Sequence, residues 1–290
     1  MSLDDDRSLV EALQHFDLRT DALLGIGSEA CVFARDANEV LRVHHPGTTR
    51  ASVDGRAALL EELHLSAPAV AFELPRVLET RRLHGRFVTR EPRLPGRPLA
   101  QALGDTTGSA RADLLLAFLE CTTTLSALRV TRPYYGDLSD GDPVRRPTYR
   151  AYLAARAAKS LALAGPGFET VDPGALASAV PEPSAPSFVH LDLYPGNVLV
   201  DGTTVTAVVD FGGLPIVGDA RLDSLAAVAY LTPNISRTAN DADRQLALQW
   251  LDQKGWLPLF DPVQRWVAAR WSFARDDVAT HAWCRATLLA

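Results

Sequence analysis

Lysine is nearly missing from this sequence of 290 residues. All but two of its 29 basic residues are arginines, and the exceptions are Lys159 and Lys254. A phosphate loop of the Gly-x-x-x-x-Gly-Lys-Ser/Thr type needs a lysine directly before its hydroxyl residue, and no such pair occurs. Any cationic contact made by the first half of the chain therefore has to come from arginine or histidine.

Cysteine, excess positive charge and long apolar runs are also scarce. Cys31, Cys121 and Cys284 are odd in number and far apart, which argues against a disulfide framework or a zinc cluster and favours reduced thiols. A net charge of -6 provides no basic stripe, so we expect no nucleic-acid partner. The start "MSLDDDRSLV" is acidic and no run nears about 20 apolar residues, which predicts a cytoplasmic protein without a membrane partner.

The pattern of apolar residues changes about a third of the way along the chain. After a helical stretch, "SLVEALQHF", short β-type runs surround a Gly-x-Gly loop, and "LPRVLETRRLHGRFVTRE" predicts two strands about a His84-Gly85 turn. The proline-rich segment Pro92 to Leu99 is the predicted linker. Helical patterns dominate afterwards, although "VDPGALASAVPEPSAPS" indicates a loop. We therefore predict two domains, 1–94 and 95–290.

The segment "FVHLDLYPGNVLVDGTTVTAVVDFGG" interrupts the helical half with two β-rich runs around an Asp-Gly turn. Folding this hairpin brings Asn197 and Asp210 together at its open end, and Asp192 lies on the loop that enters the same end. His190 lies beside them. Carboxylate and amide oxygens at close quarters suit Mg2+, which commonly takes one or two carboxylates plus substrate phosphates. Asp, Asn and Gly are also ordinary turn and capping residues, so no single one of them is diagnostic.

The spacing of these residues is more informative than their identity. His-x-Asp-x-x-x-x-Asn, a hydrophobic hairpin and then Asp-Phe-Gly form the motif set in which a loop Asp meets the acceptor hydroxyl while Asn and the later Asp hold metal. "FVHLDLYPGNVLVD" and "VVDFGG" resemble the catalytic and metal-binding segments of the aminoglycoside phosphotransferase and choline kinase family, and the likeness extends over most of the chain.

This resemblance implies an α+β, bilobal protein-kinase-like fold. A small β-rich N-lobe with one main helix would bind nucleotide, and a larger, mainly helical C-lobe would carry the catalytic hairpin. The implied activity is ATP-dependent transfer of a phosphoryl group to a hydroxyl of a small molecule. The resemblance makes Asp192 the catalytic base or hydroxyl-orienting group, with His190 shaping its loop, and it makes Asn197 and Asp210 the Mg2+ ligands. Leu191 stands where the family often has Gly. Asp223 would hold the catalytic loop through backbone hydrogen bonds.

On the nucleotide side, "GIGSEA" would drape Gly25, Gly27 and Ser28 over the phosphates. Arg42 in "EVLRVHH" would replace the usual lysine, since arginine presents a fork of donors to phosphate oxygens. A helix Glu should orient Arg42, with Glu61 and Glu62 as candidates, although the family's usual position falls closer to Arg56. Adenine would lie against the backbone at the hinge, for which the candidates are Thr89 and Glu91.

The acceptor pocket is predicted beside Asp192 from "PYYGDLSDGDPVRRPTY", an acidic loop that could attract a cationic aminoglycoside or could simply be solvated. Sugars, amino alcohols and fructosamine-like compounds remain open as acceptors. The five tryptophans, all after residue 249, are interpreted mainly as core residues. The residues of the loop that the prediction uses are Tyr134, Tyr135, Asp137, Asp140 and Asp142.

Three other interpretations are open at this point. A protein kinase is disfavoured because no His-Arg-Asp or Ala-Pro-Glu occurs and little chain separates Asp210 from the next helix. A non-catalytic nucleotide-binding module conflicts with the intact motif set. A metal hydrolase built on His44, His45 and His190 lacks histidines paired at ligand spacing on a helix. The sequence leaves the oligomeric state undetermined.

Overall fold

Five antiparallel strands form the first sheet of the computed structural model, which describes residues 3–67, 70–139 and 141–290. Asp140, one of the predicted acceptor residues, lies outside the described residues. The strand order is β1-β2-β3-β5-β4. The elements of this half are α1 (Arg7–Gln14), β1 (Leu23–Ile26), β2 (Ala30–Ala34), β3 (Glu39–His44), α2 (Arg50–His64), β4 (Glu79–Leu83) and β5 (Arg86–Pro92).

The sheet has its own apolar core. Leu9 and Leu13 lie on one face of α1 because they are four residues apart, and they pack with Phe33 and Leu41 of the sheet. The predicted turn between β4 and β5 is present, with positive φ angles of 49° at His84 and 83° at Gly85. Helix α2 buries its leucines in a separate, larger core that continues into the second half of the chain.

The second half is mainly helical. Its elements are β6 (Arg97–Pro98), α3 (Leu99–Asp105), α4 (Gly108–Thr124), β7 (Tyr135–Asp137), β8 (Arg145–Arg146), α5 (Tyr149–Leu163), α6 (Pro173–Ala179), β9 (Ser187–Val189), β10 (Val198–Asp201), β11 (Thr204–Val208), β12 (Ile216–Gly218), α7 (Leu222–Tyr230), α8 (Asp241–Gln253), α9 (Leu257–Trp271) and α10 (Val278–Leu288). Two small sheets, ordered β11-β10-β6 and β8-β7-β12-β9, hold the segment from which the active site was predicted.

The predicted linker contains a strand. Arg97 and Pro98 pair with Val200 and Leu199 of β10, which fastens the chain to the predicted catalytic hairpin directly after the first sheet. Gly96 has a φ of 98°, and a Cβ at this position would lie 2.4 Å from Thr206 Oγ1. The close approach of β10 and β11 therefore requires glycine here.

Two features differ from the sequence interpretation. The stretch expected to be a loop contains α6, because Asp172 caps its N-terminus with a 2.7 Å hydrogen bond from Gly174 N and Pro173 suits the first helical turn. The last stretch with a helical pattern, residues 262–289, contains the end of α9 and the whole of α10 instead of one helix. Asp277 caps the N-terminus of α10. The three cysteines are free and buried, as expected. None of the helices in the described residues combines the length and apolar character that a membrane crossing requires.

Candidate active site

The predicted catalytic loop runs from β9 to β10, and its end meets the residues that follow β11. Val198 pairs with Val208, and Val209 N donates to Asn197 O at 2.9 Å. Asn197 and Asp210 therefore flank the same open end of the hairpin. The turn at the other end has Gly202 at a φ of 56°, as the Asp-Gly pair predicts.

Asn197 ties the loop to Asp192. Its Nδ2 donates to Asp192 O at 2.9 Å and to Asp192 Oδ2 at 3.0 Å, which fixes the carboxylate and directs Asn197 Oδ1 elsewhere. Burial and the nearby carboxylate of Asp210 raise the pKa of Asp192 well above its usual range, while the hydrogen bond from Asn197 acts in the opposite direction. The Asp192 carboxylate is thus fixed beside Asn197 at the open end of the hairpin.

His190 is fully buried under this loop. Asp192 N donates to its Nδ1 at 3.3 Å, so Nε2 carries the proton and donates to Val209 O at 3.0 Å. Burial lowers the pKa of His190 to about 4, which keeps the imidazole neutral. The ring lies edge-on to Phe211. His190 connects the catalytic loop to the Asp-Phe-Gly segment through these contacts, which are structural.

Asp223, at the start of α7, holds the predicted catalytic loop through backbone hydrogen bonds, as expected. Its two carboxylate oxygens accept hydrogen bonds from His190 N at 2.9 Å and from Leu191 N at 2.7 Å. Burial raises the pKa of Asp223 to about 7, against the lowering effect of these two N–H groups. Because both donors belong to the residues just before Asp192, Asp223 sets the direction in which the loop presents that carboxylate.

Two backbone positions in the site are strained. Leu191 has a φ of 65° and Asp210 a φ of 64°, in the left-handed region that costs a residue with a Cβ about 1 to 2 kcal/mol. This explains why a glycine is suited to the position of Leu191. Here the conformation is held by the Asp223 bond to Leu191 N and by Tyr230 OH, which donates to Leu191 O at 2.9 Å.

Arg42 connects the first sheet to the catalytic segment. It is buried on β3, and its Nη2 lies 3.0 Å from Asp210 Oδ1 and 3.6 Å from Glu29 Oε2. Glu29, in the glycine loop, also accepts a hydrogen bond from Gly213 N at 2.7 Å. A carboxylate is therefore held between a guanidinium and a backbone N–H at the junction of the two halves, in a position that suits an anion.

The donor set at the open end of the hairpin fits a magnesium ion. In the described part of the chain, Asn197 Oδ1 and Asp210 Oδ2 are engaged in no hydrogen bond, so an amide and a carboxylate oxygen are available. Hard oxygen ligands of this kind, completed by phosphate and water, suit Mg2+. No group of three or more His, Cys, Asp or Glu side chains with metal-site geometry occurs among the described residues.

The glycine loop lies between β1 and β2. Gly25 is exposed within β1, Gly27 N donates to Ala30 O at 2.9 Å to close the turn, and Ser28 is exposed at its tip. His45 Nε2 contacts Gly27 O at 2.9 Å, which supports the loop from β3. The structure places this loop next to Arg42 through Glu29, but it brings neither Gly25 nor Ser28 into contact with the catalytic segment.

Thr89 and Glu91 turn their side chains into a buried ion pair. Arg56 Nη1 and Nη2 donate to Glu91 Oε1 and Oε2 at 2.6 and 3.0 Å, and Thr89 Oγ1 donates to Glu91 Oε1 at 2.8 Å. The helix position expected to supply an acidic partner thus carries an arginine, and its acid comes from β5. These side chains are therefore bonded to one another.

The candidates for the acidic partner of Arg42 were wrong. Glu61 pairs with Arg76 and Glu62 with Arg132, both near the protein surface. Arg42 is paired with Asp210 and Glu29 instead. The charge arrangement around α2 is reversed relative to the expectation, since the helix contributes Arg56 and the sheet contributes the carboxylate.

His44 lies near Arg42 and Arg56, and its burial predicts that the stability of the fold falls in acid. Burial, followed by the charges of Arg42 and Arg56, lowers its pKa to about 4 from 6.5. Its neutral form therefore stabilises the fold fully above pH 6.5, and this contribution is lost as the pH falls toward 4, by up to about 3 kcal/mol. We expect His44→Gln to flatten the fall in unfolding free energy between pH 6.5 and 4, measured by urea denaturation. An exposed variant, His15→Gln, should leave the slope unchanged; equal slopes for wild type and His44→Gln would contradict the assignment.

The loop predicted to attract a cationic acceptor is already neutralised. Asp137 is buried and accepts hydrogen bonds from Val144 N and Tyr152 OH, at 2.9 and 3.1 Å. Asp142 pairs with Lys159 at 2.6 Å. Tyr134 lies under the guanidinium of Arg145, and Tyr135 packs against Tyr149. The described acidic residues of this loop do not present a free negative surface.

One tryptophan approaches the site. Trp271 Nε1 donates to Tyr230 OH at 2.7 Å, and that hydroxyl donates in turn to Leu191 O. Trp271 is half-buried and stacks on Phe273. Trp250, Trp266 and Trp283 are buried in the core, as interpreted from the sequence.

Sequence reasoning missed several residues around the site. Glu29 stood within the quoted glycine loop, but nothing local showed that it would reach Gly213, 184 residues away. Arg270 Nη2 donates to Leu214 O at 3.0 Å from the end of α9, again without a local signal. Such contacts are set by the packing of distant elements, and only an alignment of relatives could have indicated them.

A sequence profile of the phosphotransferase enzyme family matches residues 23–227, which include the glycine loop, Arg42, the catalytic hairpin and Asp223. The chain belongs to this family. A sequence search of curated proteins found no match. Family membership confirms the resemblance inferred from the motifs and identifies the chain as a phosphotransferase.

Solved structures share the fold of this phosphotransferase. A thermostable mutant of aminoglycoside phosphotransferase APH(4)-Ia, in a ternary complex with AMP-PNP and hygromycin B, is 17% identical with a TM-score of 0.64, over 92% of this chain and 90% of that chain. The GDP complex of aminoglycoside 2'-phosphotransferase-IIIa is 14% identical with a TM-score of 0.60, over 97% and 94%. A putative fructosamine-3-kinase from Haemophilus somnus 129PT is 13% identical with a TM-score of 0.58, over 99% and 100%. The bilobal fold is thereby confirmed.

Proposed function

We propose that this phosphotransferase moves the γ-phosphoryl group of ATP to a hydroxyl of a small molecule. The observation that carries the proposal is the 3.0 Å pair between Arg42 and Asp210. It joins the first sheet, the predicted nucleotide-binding part, to the hairpin bearing Asp192 and Asn197, and the junction between these two parts is called the cleft below. The bound nucleotides described for the similar structures support the same use of the cleft here.

Each residue has a separate task in the transfer. Arg42 binds phosphate oxygens with its guanidinium fork, taking the place of the missing lysine. Gly27 and its neighbours Gly25 and Ser28 cover the phosphates, and Glu29 leaves its position on Gly213 N when the nucleotide enters. Adenine would lie against the hinge from Thr89 to Arg93, where the Glu91 side chain is already paired with Arg56.

Asp192 orients the acceptor hydroxyl and receives its proton as the new O–P bond forms. Asn197 fixes the Asp192 carboxylate through its Nδ2 and offers Oδ1, with Asp210 Oδ2, to Mg2+. When bound, the ion would neutralise the charge that develops on the transferred phosphoryl group. His190 stays neutral and positions the loop.

A small molecule suits the cleft better than a peptide. The chain that follows Asp210 enters β12 at Ile216 and α7 at Leu222, so no long segment is available to dock a protein substrate. The fructosamine kinase and aminoglycoside kinase likenesses support small acceptors of the sugar and amino alcohol classes.

The proposal is tested by following nucleotide consumption with a broad acceptor panel. Purified protein is given ATP or GTP with Mg2+ and, separately, aminoglycosides, sugars, amino alcohols and hydroxy acids. We expect Mg2+-dependent production of a phosphorylated acceptor, which EDTA abolishes. Nucleotide binding by calorimetry without transfer to any acceptor would instead indicate a non-catalytic nucleotide-binding module.

A further inference from the structure

Two arginines converge on one carboxylate near the catalytic loop. Arg156 Nη1 lies 3.5 Å from Asp137 Oδ2, and Arg270 Nη1 lies 3.6 Å from Asp137 Oδ1. The same oxygens already accept the hydrogen bonds from Val144 N and Tyr152 OH. The Asp137 carboxylate, whose two oxygens already accept these hydrogen bonds, therefore faces two guanidinium groups.

Some N–H groups of these two arginines have no acceptor within the described part of the chain. Among the described residues, Arg156 Nε and both Nε and Nη1 of Arg270 are buried without a hydrogen-bond partner. The Arg270 side chain is only 2% exposed. A buried N–H of a charged group that makes no hydrogen bond is costly, so the arrangement favours a ligand that brings acceptor oxygens.

The arginine pair adjoins the reacting groups. Arg270 Nη2 donates to Leu214 O, in the segment that follows Asp210. The next residue, Trp271, is linked through Tyr230 to Leu191, the neighbour of Asp192.

Arg156 is the more exposed of the two arginines, and an aromatic ring lies beside its guanidinium. The Arg156 side chain is 13% exposed and its guanidinium lies 5.8 Å from the ring centroid of Phe273. Phe273 stacks on Trp271, and both are half-buried. A small molecule could contact Arg156 from this side, with Arg270 behind it and the aromatic pair beside its carbon skeleton.

We propose that the acceptor of this phosphotransferase is a hydroxyl compound that carries an anionic group, a carboxylate or a phosphate, bound by Arg156 with Arg270 behind it. The inference rests on the proposed function and specifies its substrate class. The acceptor oxygen forms a bond to the γ-phosphorus, the bond from that phosphorus to the departing ADP breaks, and the hydroxyl proton passes to Asp192. Planar guanidinium groups match the two oxygens of a carboxylate or phosphate, whereas they repel a polycation.

Matched acceptor pairs that differ in the anionic group test the inference. Suitable pairs are serine with ethanolamine, glycerate with glycerol, gluconate with sorbitol, and glucose 6-phosphate with glucose. We expect the anionic member to have the higher kcat/KM in at least one pair, and aminoglycosides to be poor acceptors. Arg156→Gln should lower kcat/KM for that anionic acceptor about 10- to 100-fold through KM, and change the value for its neutral partner less than about twofold.

Arg146→Gln is the matched control, since the Arg146 side chain is exposed on β8 and donates to the neighbouring Arg145 O. Neutral or cationic acceptors that react as well as the anionic ones, or equal effects of both variants, would overturn the inference while leaving the proposed phosphotransfer intact. If no acceptor reacts, the proposed function fails, and the inference, which rests on it, fails with it.

Discussion

Asp192→Asn is expected to lower kcat for phosphoryl transfer about 1,000-fold, because the amide has the shape of the carboxylate but cannot accept the hydroxyl proton. General base catalysis by a positioned carboxylate typically contributes a factor of about 100 to 10,000. The variant should still fold, since the Asn at 192 retains an oxygen for the Asn197 Nδ2 hydrogen bond. Steady-state kinetics with the best acceptor from the panel measures the effect.

The binding data separate this prediction from a general loss of structure. Asp192 is bonded to Asn197 and Arg42 to Asp210, and no hydrogen bond within the described residues joins Asp192 to Arg42, so we expect the nucleotide Kd of Asp192→Asn to stay within about threefold of wild type. The matched control is Asp201→Asn, at the exposed tip of the same hairpin, which should retain full activity. Asp192→Asn with more than about a tenth of wild-type kcat would exclude Asp192 as the base.

The elements that the sequence predicted well are those specified by local signals. The hairpin of β10 and β11 follows from two β-rich runs around Asp201-Gly202. The capture of the loop by Asp223, 32 residues from Leu191, was instead implied by the family resemblance. The helix α6 was missed because the proline content of its surroundings outweighed the capping signal of Asp172 and Pro173. The two residues at its N-terminus are typical of a helix start, whereas the proline, alanine and serine content of the whole stretch is typical of a loop.

The contacts that sequence reasoning did not predict join residues that are far apart in the chain. Glu29 meets Gly213, Arg270 meets Leu214, and Arg56 meets Glu91 across 35 residues, each through packing that no local pattern encodes. In the last case the charges are exchanged, with the helix carrying the arginine. A reader of the sequence therefore finds glutamates on α2 and pairs the wrong ones with Arg42.

The ion pair between Arg56 and Glu91 makes the largest expected contribution to stability among the ion pairs near the cleft. Arg56 and Glu91 are 6% and 7% exposed, and two hydrogen bonds join them. Removing one partner of a buried pair leaves the other charge uncompensated, which typically costs about 3 to 5 kcal/mol. We expect Arg56→Met to lower the free energy of unfolding by that amount in urea denaturation.

Removing both charges should recover much of the free energy of unfolding that Arg56→Met loses. In Arg56→Met/Glu91→Leu neither charge is buried alone, so the double variant should be more stable than Arg56→Met, and the cycle of four proteins should show a strong coupling between the two positions. Arg35→Met, which breaks the more exposed pair of Arg35 with Glu39, should cost less than about 1 kcal/mol. An Arg56→Met protein no less stable than Arg35→Met would contradict a structural role for the pair. Glu91 would then be free to serve the nucleotide directly, and Glu91→Gln would have to weaken ATP binding.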